Sequence, residues 1–135
     1  MSYKQAKIDI QKAFYTGWTA AGYSANIIAW MNEKFTKPSN LIWVRFTIFP
    51  GSASRIELGP GDAKLHVGLV DVEIFVPSDQ KGTNDIYTYI DVIAAIFVNQ
   101  NIEDNHFDGY DLFGPSMIEE GWIKANISFP FKRYE

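Results

Sequence analysis

The sequence predicts an α+β fold: a mainly antiparallel sheet of four to five strands with two helices packed on one face, in the order α-β-β-β-α-β-β. Three observations carry that expectation. Segments near both ends of the first hundred residues repeat apolar side chains at helical spacing. Leu41–Phe49, Leu65–Val76 and Ile123–Phe131 instead alternate with the period of a strand. Hydrophobic residues make up 47% of the 135, enough for a real core and a single domain over 1–135.

Ser2 followed by Gln5 is a capping-box pattern. Behind it Tyr3, Ala6, Ile10, Ala13, Phe14, Gly17 and Ala21 mark a helix over Tyr3–Ala21 that ends at Gly22. Gly17 costs about 1 kcal/mol relative to alanine in a helix, which close packing against the sheet would explain. A short strand, Ile27–Met31, follows, and Lys37–Asn40 with Pro38 reads as a turn. Leu41–Phe49 places Ile42, Val44, Phe46 and Ile48 on one face.

Leu65–Val76 changes phase: Val67 and Leu69 are apolar on one parity, Val70, Val72, Ile74 and Val76 on the other. Gly68 sits beside the switch, where a β-bulge is expected. At about 3.3 Å per residue this strand spans about 40 Å, so one end projects past the core. The Gly/Pro/Ser-rich excursion Pro50–Lys64 is far longer than a hairpin loop of about two to five residues, as expected of a segment used in an interaction.

Thr83 or Asn84 can cap a second helix with Asp85 in its first turn. Ile86, Tyr89, Ile90, Ile93, Ala94 and Phe97 trace its apolar face, and it should stop near Asn99–Asn101. A weak strand around Phe107–Phe113 precedes Gly114-Pro115. The last strand alternates Ile123, Ala125, Ile127, Phe129 and Phe131 against Lys124, Asn126, Ser128 and Lys132. Pro130 cannot donate to a ladder, which argues for an edge position.

The net charge of −4 is unevenly spread. Residues 1–64 sum to +4 and residues 65–135 to −8, the densest acidic stretch being Ile102–Gly121. That stretch is either a solvated edge or one half of a repeated contact between copies. With no cysteine the chain has no disulfide, thiol nucleophile or thiolate metal site. No signal sequence and no apolar run of about 20 residues is present, so the expected setting is a cell's cytoplasm, away from membranes.

Templates for chemistry fail. His66 and His106 lack a helical i, i+4 partner for zinc, and there is no Gly-x-Ser-x-Gly elbow. Gly59–Lys64 lacks the spacing of a phosphate loop and leads into a strand. The run Asp104–Gly109 starts like a calcium loop, but Pro115 stands where the bidentate glutamate belongs. Basic residues form no dense cluster with interleaved aromatics, which disfavours nucleic-acid recognition. No catalytic residue, metal or cofactor is expected, and the working site should be a surface.

That surface is the sheet face opposite the helices. Trp43, Arg45, Thr47 and Phe49 share the parity opposite to the core set, as do Trp122 and Tyr134. Either the chain's own loops cover them or a neighbouring subunit does. The candidate interface residues are Trp43, Arg45, Phe49 and Trp122 from this face, with Ser54, Arg55, Asp62 and Lys64 from the excursion.

The middle of the chain carries a family likeness in Trp30-Met31-Asn32-Glu33-Lys34-Phe35, Trp43-Val44-Arg45-Phe46, Leu58-Gly59, the run His66–Pro77 and Lys81-Gly82. Over roughly residues 6–98 it resembles the phage tail terminator-like proteins. The resemblance implies a ring, usually six-membered, that caps the tail tube of a long-tailed bacteriophage, stops its polymerisation and presents the surface that joins the head. Its implied partners are copies of itself, the tail tube protein and a head–tail connector or head-completion protein. Its implied place is the head-proximal end of the tail in the virion, reached from the host cytoplasm. A related neck protein, a head-completion or joining ring, is the alternative, and a small-molecule-binding enzyme is a reading from another class.

Overall fold

The computed structural model describes residues 3–38, 41–55, 64–78, 82–119 and 121–134. Its elements are α1 (Tyr3–Ala20), β1 (Ile28–Trp30), β2 (Trp43–Arg55), β3 (Lys64–Pro77), α2 (Gly82–Phe97), β4 (Asn101–Ile102), β5 (Asn105–Phe107), β6 (Asp111–Glu119) and β7 (Trp122–Tyr134). The fold is α+β as expected, but the sheet has seven strands among the described residues in place of the expected four to five. The expected weak strand at Phe107–Phe113 resolves into β5 and β6 on either side of a break at Asp108–Tyr110.

α1 buries Ala6, Ile10, Phe14 and Trp18, one residue per turn. Trp18, absent from the sequence-predicted stripe, is fully buried, and its indole N–H donates to the Ser24 carbonyl at 2.9 Å. Ala21, counted in that stripe, is exposed. α2 buries Ile86, Ile90, Ile93 and Phe97 and ends where Asn99 adopts a left-handed φ of 56°. Both helices cover one sheet face, meeting Val44, Phe46, Val72, Ile74, Ile127 and Phe129 in the main core. Gly17 meets α2 and not the sheet: a Cβ there would lie 2.6 Å from Ile96 Cγ1. The Ser2 cap lies outside the described residues, as do the side chains of Thr83 and Asn84.

The sheet runs β1-β2-β3-β7-β5-β4, with β6 pairing β7 beside β5. Only β1–β2 is parallel; the other pairs are antiparallel. Three expectations change here. The two ends of the excursion are strand, because β2 runs on to Arg55 and pairs with Lys64, and 56–63 lie outside the described residues. β3 pairs with β7 without interruption from Leu65 to Pro77, so the irregularity lies in β2, between Pro50 and Ala53. Gly68 answers a different demand, since a Cβ there would stand 2.4 Å from Phe131 Cζ.

β7 is not an edge. It pairs β3 along one side, and β6 up to Ser128 and β5 from Phe131 along the other. Pro130 falls in the gap between those two neighbours, where no partner calls for its missing N–H. The first residues of β3 therefore lie in a three-stranded arm between β2 and β7. Tyr3 at the start of α1 braces it, its hydroxyl 3.4 Å from the carbonyl oxygens of Gly51 and Val67.

Candidate assembly surface

The second sheet face carries no helix. Because paired residues share a face, its rows read straight from the register: Pro77 beside Trp122; then Trp43, Phe75, Lys124 and Ser116; then Arg45, Glu73, Asn126 and Phe113; then Thr47, Asp71, Ser128 and Asp111; then Phe49, Leu69 and Pro130.

One corner of the face is a second, small core of Ala29, Trp43, Phe75 and Trp122. Trp43 stacks on Phe75 with ring centroids 4.0 Å apart at 6°, and Phe35 lies 5.3 Å from Trp43. Lys37 sits 4.7 Å above the Trp122 ring, a cation–π contact. Asn32 takes a φ of 61° in the turn that brings this stretch back over the sheet. Of the two ways to cover the aromatic row, the chain uses its own 31–38 segment for Trp43 and Trp122, which are 5% and 7% exposed.

The middle rows are polar and internally paired. Glu73 accepts from Arg45 Nη1 at 3.2 Å and from Lys124 Nζ at 2.6 Å, so two cations share one carboxylate. Asp71 Oδ1 accepts from Asn126 Nδ2 at 2.7 Å and Ser128 Oγ at 2.9 Å. At the far row Phe49 is 50% exposed. Arg45, also exposed, and Phe49 are the sequence-predicted interface residues left open to a neighbour. Asp62 lies outside the described residues, and Ser54, Arg55 and Lys64 are described as strand backbone only. β2–β3 pairing brings Arg55 opposite Lys64 on the arm, away from Trp43 and Trp122 at its base.

Residue-level reading missed the other edge. On β6 Phe113 is 61% exposed and Leu112 38%, with Tyr110 just before them at 46%. The available signal was the pairing of aromatic with acid in Tyr110-Asp111-Leu112-Phe113, read only as a weak strand.

Clefts flank these features. One of about 480 Å³ lies beside β1 and β2 and includes Met31, Phe35, Trp43 and Arg45. Another, about 380 Å³, lies between Asp71, Glu73, Lys124 and Phe113. A third, about 690 Å³, separates α1 from α2 over Ala13, Gly17, Ala95 and Ile96, and its charged residues Lys12 and Glu103 are exposed. Among the described residues, no three His, Asp or Glu side chains group as metal ligands. No described helix is long and apolar enough to cross a membrane.

One sheet face is thus covered by helices, and the other is partly open and carries charged side chains. A family model described as phage tail terminator protein matches residues 9–131, and the chain belongs to that family. The match extends the likeness through β7. Membership makes it a bacteriophage protein of tail assembly. One solved structure is similar to it with a TM-score of 0.73 at 19% identity, covering 98% of this chain and 96% of that one. At that identity the likeness is one of fold. No curated protein matches the chain.

Proposed function

We propose that this protein is the tail terminator itself: a six-membered ring that binds the last ring of tube subunits, stops tube growth and offers the head-joining surface. The observation that carries the reading is the family match across residues 9–131. The geometry supports it in two ways. The three-stranded arm offers a surface for axial contacts, and Arg45 and Phe49 are exposed on the open face for a neighbour. The mechanism is steric: the lower face matches the tube, and the upper denies the next tube subunit its docking edge. No substrate is turned over and no cofactor is used. The partners are further copies, the tube protein and a connector or head-completion protein, at the head-proximal end of the tail.

Deleting the gene tests this. A terminator's loss yields abnormally long tails by electron microscopy, whereas normal-length tails left unattached to heads would overturn the reading in favour of a neck joining ring.

A further inference from the structure

We propose that Phe113 on β6 of one subunit inserts into the cleft beside β1 and β2 of the next, with Asp111 reaching the basic rim at Arg45. The proposal deepens the ring reading above and rests on it. The occupant is a second copy of this chain, for three reasons on the molecule.

The first is shape. Phe113 is 61% exposed and stands on an edge strand, where a large aromatic in water is costly. The cleft of about 480 Å³ has apolar walls in Ala29, Met31, Phe35 and Trp43. A cavity of about 150 Å³ already holds benzene, so a benzyl group has room here. An aromatic anchor seated in a pocket is the usual centre of a protein contact.

The second is charge. Arg45 and Lys124 share the single carboxylate of Glu73, and Arg45 and Lys37 bring two cationic side chains to the cleft itself. Glu33 is the acid among its described lining residues. Asp111 lies two residues from Phe113 on the same face, in the acidic stretch that includes the exposed Asp104 and Asp108. Trp43, whose buried indole N–H has no acceptor among the described residues, lines the same cleft.

The third is topology. The cleft, beside β1 and β2, and β6 lie toward opposite edges of one sheet, with β3 and β7 between them. At about 4.8 Å per strand a subunit cannot fill its own cleft. Each copy offers a knob on one side and a hole on the other, a heterologous contact that propagates in one rotational sense and closes as a ring.

The absence of cysteine makes the test clean. The pair Met31→Cys with Phe113→Cys, oxidised mildly in assembled tails and in concentrated protein, should give a disulfide ladder that ends at the ring number. Each single variant should stay monomeric on a non-reducing gel. Failure of the pair to form a ladder overturns the contact, as would efficient dimers from Phe113→Cys alone, which indicate a two-fold arrangement. Asp111→Arg and Arg45→Glu, made in that pair background, should each cut ladder yield by at least about tenfold, and their combination should restore it; no recovery overturns the charge pairing. A normal terminator phenotype with no ladder would sink this contact alone. A ladder in a protein whose deletion leaves tail length normal would sink the terminator reading and leave the contact standing.

Discussion

Gly68 and Phe131 face each other across β3 and β7, and the ring fills the space a side chain at 68 would need. An aromatic laid over a cross-strand glycine recovers the packing that glycine gives up. Gly68→Ala should therefore destabilise by about 1–3 kcal/mol in urea denaturation. Phe131→Leu in the same chain should remove part of that cost; strictly additive losses would show that the two do not compete. The need for glycine was visible in the sequence, but its cause was not, because the ring responsible belongs to a distant strand. Tyr89 carries the second prediction at this scale. Burial raises its pKa above the usual 10.0, with Tyr23 and Asp85 adding to the shift. The folded state then holds the phenolic proton more tightly than the unfolded chain. The resulting stability is fully present below pH of about 10 and is lost as pH rises through the folded pKa. Tyr89→Phe should flatten the fall in thermal midpoint above that pH relative to the parent; identical profiles would refute it.

Elements were legible where periodicity was strong. α1, α2 and the cores of β2, β3 and β7 follow their apolar spacing within a residue or two. The arm was not, because Pro50, Gly51 and Ser52 have loop composition, and β2 continues past them through its pairing with β3 at Pro50 and again from Ala53 to Arg55. The covering of Trp43 and Trp122 was left open for the same reason: the lid is irregular chain, 31–38, with no period to read. Phe35 is its apolar contact with the Trp43 ring. Phe35→Ala should cost about 2 kcal/mol and shift tryptophan emission to the red as Trp43 gains water. An unshifted spectrum would mean that other residues of the segment hold the lid. Between the helices, Gly17→Ala gains helix propensity of about 1 kcal/mol but meets Ile96 at 2.6 Å. Relief of that clash is expected only when Ile96→Ala, which removes both γ-carbons, is made with it, and a double-mutant cycle would show the coupling.

Across the whole molecule, the division into a basic first half and an acidic second half was readable from sequence, whereas its spatial meaning was not. The topology converts it into two unlike edges of one sheet. Of the residues singled out for contacts, Arg45 and Phe49 stand open and Trp43 and Trp122 are turned inward, a distinction that parity alone could not make. Arg45→Glu with Arg55→Glu is expected to leave the circular dichroism spectrum unchanged while reducing incorporation into tails at least about tenfold. Full incorporation would strike both from the contact surface.

β7 is the last of the described elements and the one on which β3, β5 and β6 all lean. Without β7 the hairpin of β2 and β3 keeps a bare flank and β6 has no partner. A bare strand flank is a template for pairing with another chain. The pairing that completes the sheet therefore also blunts that flank against foreign strands.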